Sequence, residues 1–440
     1  MPYIGLFVPG SGNTAPGMVV GGKGYNPKLF DVPNVLVGPR FGFAWDPRGN
    51  GKMAVRGGFG IFYDRPQGNL YSGTNGQPPV AYTPTLYFGN LDTFLQSQGT
   101  YGPSSVNAPQ VGRQPLPRVM NYSFGIQRDI GFNTVLDAAY VGSLGRNLLY
   151  VRNINAIPMY SRFDPANLDR TTNSPLPDNF FRPYLGMSTI NVRGFGATLN
   201  YHSLQVTANR RMSRGLQFGA SYTFSKALGV GAGDFDSVSP YFSMRQRNYG
   251  LLSYDATHVL TINYTWNLPN PAPHIKPVSL ILANWVVSGI TSFQSGFPFT
   301  PGCSTTDAVD LTGSNEGARI TVLGDPRLPK SERTFYRNFK TEMFARTPVR
   351  DFGNAGIGLL RGPGINNWDI AVSKRVPVAG EQRYFQFRAE FYNAWNHTQF
   401  SSIDSGARFN PQGQQINANF GAYNGARDLR GIQLSLRFMF

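Results

Sequence analysis

The sequence predicts an all-β protein whose antiparallel strands have one oily and one wet face. Three observations predict it: period-2 alternation along the chain, a composition poor in charge and rich in aromatics, and connections that alternate between short and long.

The alternation is clearest in three internal segments and at the C-terminus. LQFGASYTF sets Leu216, Phe218, Ala220, Tyr222 and Phe224 against Gln217, Gly219, Ser221 and Thr223. VLTINYTWNL sets Leu260, Ile262, Tyr264, Trp266 and Leu268 against Thr261, Asn263, Thr265 and Asn267. FQFRAEFYNAW sets Phe385, Phe387, Ala389 and Phe391 against Gln386, Arg388, Glu390 and Tyr392. GIQLSLRFMF ends the sequence with Ile432, Leu434, Leu436, Phe438 and Phe440 on one face. Less regular alternation at 39–47, 53–65, 121–130, 134–142, 200–212, 282–295 and 366–377 brings the candidates to about eleven strands. Several reach the ~9–11 residues that a tilted strand needs to cross a bilayer.

Composition agrees. Charged residues make up 15% of the chain, against roughly 25% in ordinary globular proteins. Gly (51), Phe (33) and Tyr (22) are plentiful, a mixture that favours strands and turns. No apolar run is long enough for a membrane helix, because Asn284 and Ser288 interrupt VSLILANWVVSGI. A membrane β-barrel escapes that test, since its two faces average out. The single cysteine, Cys303, rules out an internal disulfide framework and a zinc site built on cysteines. The four histidines show no metal-ligand spacing, so neither metal nor cofactor is predicted. MPYIGLFVPGSG shows no basic segment followed by an apolar one, so either the protein is not exported or its true start lies upstream.

Short connections fall at 48–52, 131–133, 213–215, 269–281 and 378–383; long ones fall at 66–120, 143–199, 229–256, 296–365 and 396–428. Outer-membrane barrels sort their connections this way, with turns in the periplasm and long loops outside, which would put the C-terminus in the periplasm. The five tryptophans give an independent check. Trp45, Trp266 and Trp285 sit at the turn ends of their strands and Trp368 and Trp395 at the loop ends, the pattern of two aromatic girdles. The expected fold is therefore a transmembrane antiparallel β-barrel over 39–440, with 1–38 the remnant of an extracellular loop or a partial strand. An odd strand count breaks the rule for bacterial single-chain barrels, and an unclosed sheet would leave unpaired backbone groups in lipid. About eleven strands are thus expected to be part of a larger barrel.

PRFGFAWDPRGNGKMAVRGGFGIFYDR, NYSFGIQRDIGFNTVLDAAYVGSLGRNL, YHSLQVTANRRMSRGLQFGASYTFSKAL, ANWVVSGITSFQSGFPFTP, FGNAGIGLLRGPGINNWDIAVSKRVPV and FRAEFYNAWNHTQF together resemble the barrel segments of Oar-like TonB-dependent outer-membrane receptors. These receptors carry an N-terminal carboxypeptidase-regulatory-like domain and are abundant in Acidobacteria. The resemblance covers the chain from about residue 38. It implies a 22-stranded barrel of which this chain supplies an incomplete half, and uptake of a large or scarce solute. It also implies that the aromatic end of the closing strand, here Phe440, is read by the barrel assembly machinery. Partners implied are outer-membrane lipid, lipopolysaccharide and the TonB system, the last acting through a plug domain. The sequence contains no TonB box, plug or regulatory-like domain.

Strand parity places Arg56, Asp369, Arg375, Arg388, Glu390 and Arg437 on the wet, lumen-facing side. There they would pair across strands or with a plug, or else contact solute. The net charge of +16 is scattered without a run of five basic residues, so nucleic acid is not an expected partner. A basic belt against anionic lipopolysaccharide, a steering field for anionic ligands and a plain solvated surface are the three readings of that charge. Asp234 and Asp236, and Asp307 and Asp310, lack EF-hand spacing and read as solvated loop residues in preference to Ca²⁺ ligands. GIGLLRGPG (356–364) reads as loop. His202 and His258 stand at strand starts with no partner motif, so no catalytic residue is assigned and the protein is not expected to be an enzyme. Loops 66–120, 143–199 and 296–365 are the expected ligand-capturing surface. The alternative function is a non-transporting barrel, an adhesin or structural protein, closed by a further strand within 78–90.

Overall fold

The computed structural model describes residues 4–7, 17–25, 31, 33–65, 68, 70, 74, 76–83, 90–93, 96, 102–231, 233, 235–379 and 383–440. One antiparallel path of eleven strands dominates it. We number these β1 (Arg40–Trp45), β2 (Met53–Tyr63), β3 (Arg118–Gly131), β4 (Thr134–Asn153), β5 (Met187–Ser213), β6 (Leu216–Val230), β7 (His258–Asn267), β8 (Trp285–Gln294), β9 (Ile365–Ala379), β10 (Arg383–Tyr392) and β11 (Gly431–Met439). Each strand pairs with its neighbours in chain order, so the sheet is a pure meander. Two short strands extend its flanks: Tyr249–Leu251 pairs with β6, and Ser104–Pro109 runs parallel to β5.

Turn chemistry explains the tight end. Phe132 and Asn133 have φ of 54° and 56°, and Arg214 and Gly215 have φ of 51° and 79°. Two successive residues at positive φ give the turn twist that matches a right-handed hairpin. The first turn is instead held by Asp46, whose carboxylate accepts the backbone N–H of Arg48 at 3.0 Å and of Gly51 at 2.7 Å.

Two expectations need correction. β4 is 20 residues long and β5 is 27, so 143–153 and 187–199 are strand, and the loop between them spans only 154–186. A register shift between Gly145 and Leu148, with Asn147 at φ 56°, moves the alternation out of phase there. The connection after β7 is not a plain turn: Lys276–Leu282 forms a helix, α1, and β8 starts only at Trp285. A seven-residue helix, KPVSLIL, is too short to show a helical period. Of the segment 78–90, residues 84–89 lie outside the described residues, as do residues 380–382 of the last turn.

The register puts every apolar residue of the alternation on one face. Phe41 lies opposite Phe59, Phe59 opposite Tyr122, Phe124 opposite Tyr140, Tyr140 opposite Leu204, and Leu204 opposite Phe224. The row continues through Tyr222 and Leu260, Leu260 and Phe293, Val287 and Val372, Lys374 and Phe387, and Phe387 and Leu436. This face is not the protein's core: Phe124 is 52% exposed, Leu434 66% and Leu436 70%. The buried apolar clusters lie at the long-loop end. One gathers Ile320, Phe339, Phe344, Leu360, Phe409 and Phe420 from the last two long loops. The other packs Phe7 and Met18 against Val106, Ala108, Met187 and Ile190. Phe7 and Met18 belong to a strand pair, Ile4–Phe7 with Met18–Gly21, within 1–38.

Candidate functional site

The site has two parts, the polar face of the wall and the cap of folded loops above it. On the polar face, Arg56 of β2 lies opposite Gly125 of β3, which has no side chain to block it. The guanidinium passes over β3 to Asp137 of β4, Nη2 to Oδ2 at 2.7 Å, and also donates to Gln127. Arg388 and Glu390, two apart on β10, face the same way and pair at 2.7 Å. Asp369 of β9 accepts the backbone N–H of Asn393 at 3.0 Å. Arg375 stands 5.3 Å over the Tyr384 ring, and Arg437 of β11 lies opposite Gln386. The polar face thus carries all six residues singled out by parity, and four of them already have charged or backbone partners. Gln217, Asn263, Asp369, Arg388, Glu390 and Tyr392 contribute to an open concavity of about 410 Å³ between β6 and β10.

The tryptophans fall into two rows. Trp45 ends β1, Trp266 is next to last in β7 and Trp285 opens β8, all at the turn end. At the loop end, Trp368 meets Trp395 edge-on at 6.2 Å and Phe293 at 5.8 Å. Aromatic residues that the sequence did not single out complete that row. Tyr122 and Tyr140 place hydroxyls 3.2 Å and 2.7 Å from His202 Nδ1, and Tyr222 places its hydroxyl 2.8 Å from His258 Nδ1. Both histidines are thus hydrogen-bond partners of tyrosines, and His202 lies inside β5 rather than at a strand start, because that strand begins at Met187. Neither shows a nucleophile in these contacts.

The cap is tied by ion pairs, three of which join different loops: Arg162 to Asp310, Arg247 to Glu316 and Arg361 to Asp255. Arg162 holds Asp178 at 2.8 Å and Asp310 at 2.7 Å, Arg247 holds Glu316 at 2.6 Å, and Arg346 holds Asp307 at 2.8 Å. Arg361 pairs with the buried Asp255. Asp307 and Asp310 thus pair with arginines while staying partly open to solvent, a partnership that the reading as solvated loop residues did not include. The Arg162 guanidinium holds the Asp178 carboxyl below the ordinary carboxylate range, helped by Asn315. Asp234 lies outside the described residues; Asp236 accepts the backbone N–H of Gly233 at 2.9 Å. Among the described residues no group of His, Cys, Asp and Glu is arranged to hold a metal ion.

A meander with an oily outer face, a polar opposite face, tight turns at one end and a folded cap at the other defines a β-barrel wall made for a membrane. The family model for the outer membrane beta barrel domain matches residues 3–433, and the chain belongs to that family. A comparison with curated proteins finds no match. Among solved structures, the chain is similar to the outer membrane transporter YddB from Escherichia coli at 11% identity, over 91% of this chain and 40% of that one, with a TM-score of 0.45. It is also similar to the FrpB iron transporter from Neisseria meningitidis (F5-1 variant) at 11% identity, over 92% and 39%, with a TM-score of 0.42. A third is the ferric-catecholate import receptor Fiu from E. coli K12, at 10% identity, over 91% and 34%, with a TM-score of 0.39. The chain spans 40% or less of the length of each.

Proposed function

We propose that the chain forms part of the wall and cap of an Oar-like TonB-dependent receptor that takes up a large or scarce solute across the outer membrane. The observation that carries this reading is the single oily face running through all ten strand pairings of an outer-membrane barrel domain, set against a face bearing Arg56, Asp137, Asp369, Arg388 and Glu390. Hydrocarbon solvates the first face and a lumen lies along the second. β1 and β11 each pair on one side only among the described residues. Unpaired backbone groups in hydrocarbon cost several kcal/mol each, so both edges are completed by further strands of a larger barrel, for which the family resemblance implies 22 strands.

In this reading residues 39–440 are barrel, 1–38 belong to an external loop, and the polar face meets a plug through which the TonB system acts. Phe440 is the signal taken by the barrel assembly machinery. The turn end, with the C-terminus, lies in the periplasm. At the other end Lys226 lies opposite His202, and Arg118 opposite Tyr63 and Arg146, just beyond the tyrosine row. Basic groups at that height suit the phosphates of lipopolysaccharide. The loops 66–120, 154–186 and 296–365 are the solute-capturing surface.

The test is fractionation of the full-length protein. Recovery in the outer membrane with heat-modifiable migration on a gel is expected, and recovery as a detergent-free soluble protein would overturn the reading. An upstream reading frame encoding a signal peptide, TonB box and plug separates a transporter from a non-transporting adhesin or structural barrel, for which a stop codon just before Met1 is the expected finding.

A further inference from the structure

Helix α1 is fastened over the oily face of the wall, not over its polar face. Trp285 and Lys374 lie opposite each other on β8 and β9 and share a face with Val287, Val372 and Phe387. From there the Lys374 ammonium donates to the carbonyl oxygens of Ile281 at 2.6 Å and Ala283 at 3.0 Å, capping the C-terminal end of the helix. Trp285 Nε1 donates to the same Ile281 oxygen at 2.9 Å, and the ammonium stands 4.9 Å from the Trp285 ring centre. A cation at the carbonyl end of a helix is stabilising, and so is one over an indole face.

The C-terminal turn of the helix is apolar and exposed: Leu280 is 57% exposed, Ile281 65% and Leu282 41%, with Ile275, just before the helix, at 55%, while Lys276 and Ser279 are its polar residues. Exposed apolar side chains grouped in this way suit an apolar medium. Its C-terminal end lies against Trp285 and Lys374, at the turn end of the oily face. Two-residue turns suffice between β3 and β4 and between β5 and β6, so the extra length between β7 and β8 is not needed to reverse the chain.

We propose that Ile275–Leu282 is an interfacial anchor lying in the phospholipid leaflet at the turn end, with its apolar side chains among acyl chains and its C-terminal carbonyls held by Lys374. Short amphipathic segments bury themselves at the boundary of headgroups and acyl chains in this way. The anchor fixes the depth of the wall at a point where Trp285, Lys374 and the helix act together. This inference rests on the reading of the oily face as lipid-facing.

The experiment uses the full chain with Cys303→Ser, carrying one bimane-labelled cysteine at a time and reconstituted in vesicles of dibrominated phosphatidylcholine. Ile281→Cys and Leu280→Cys probe the helix, Leu436→Cys the oily face and Asn263→Cys the polar face. Quenching at Ile281 and Leu280 as strong as at Leu436, with Asn263 unquenched, is the expected result. Strong quenching at Leu436 with none at Ile281 and Leu280 overturns the anchor and leaves the wall reading standing. Quenching at none of the four overturns both.

Discussion

Arg247 Nε lies 2.6 Å from Glu316 Oε1, and this ion pair joins the loop before β7 to the loop before β9. Arg247 also donates to the carbonyl oxygens of Phe352 at 2.8 Å and Gly353 at 3.0 Å, and its side chain is only 9% exposed. The guanidinium is therefore a hub on which three stretches of the cap converge. Removing one partner of such a pair leaves a buried charge uncompensated, at about 3–5 kcal/mol. Glu316→Gln is expected to loosen the cap by that order while sparing the wall. Hydrogen exchange should rise across 311–320 and 350–355 with heat-modifiable migration unchanged; unchanged exchange would refute the hub.

Acid should act on the same cap through Asp178. Its carboxyl is held below the usual carboxylate range, first by the Arg162 guanidinium. A carboxylate with a depressed folded pKa contributes stability that is fully present above its unfolded value and is lost as pH falls through the folded one. The 154–186 loop is thus expected to stay closed at neutral pH and to open below about pH 4. Amide exchange in that loop, corrected for intrinsic rate and compared at pH 7 and pH 3, checks the sign. Asp178→Asn should abolish most of the difference.

Neighbouring residues on β7 offer a test of the two faces. Leu260 lies opposite Tyr222 and Phe293 on the oily face, and Thr261 lies opposite Ser221 and Ser292 on the polar one. An arginine on a lipid face near mid-bilayer costs about 2–4 kcal/mol, whereas lumen positions tolerate charge. Leu260→Arg is expected to lower the urea midpoint of the folded band, and Thr261→Arg to leave it nearly unchanged. Reversal of that order would contradict the assignment of faces.

Gly142 gives a packing prediction. A Cβ built there would come within 2.3 Å of the Tyr122 ring, whose hydroxyl is 3.2 Å from His202 Nδ1. The ring lies over a glycine because nothing larger fits beneath it. Gly142→Ala should cost about 1–3 kcal/mol through overpacking and displace Tyr122 from His202. Near-ultraviolet circular dichroism and urea unfolding of the reconstituted protein would register both effects.

Lys374→Met removes the ammonium that caps α1 but keeps most of the stem's length and apolar surface. Exchange at 279–284 is expected to rise while the β8–β9 pairing persists, since Trp285 still donates to Ile281. Loss of exchange protection through β8 and β9 as well would show that Lys374 supports the wall rather than the helix.

Phe218, Leu260 and Phe387 made the sheet legible, because strict alternation over ten residues has one solution: a strand with a single oily face. The turns at 132–133 and 214–215 and the end positions of Trp45, Trp266 and Trp285 were equally local and equally readable. The length of β5 was not. Its residues 187–193 are covered by Ser104–Pro109 and by the Phe7 and Met18 cluster, so alternation there no longer reports solvent against oil. α1 was hidden too, since the seven residues KPVSLIL are too few to distinguish helix from strand until Lys374, far along the chain, caps them. The same limit applies to the cap. Asp310 looks like a solvated loop acid until Arg162, far away in sequence, is folded against it. Sequence by itself determined which residues face oil and where the chain reverses, because those depend on period and turn chemistry within a few residues. Only the tertiary structure decided which charges meet, what the long loops build and where the helix rests, because each depends on contacts between residues that the chain holds far apart.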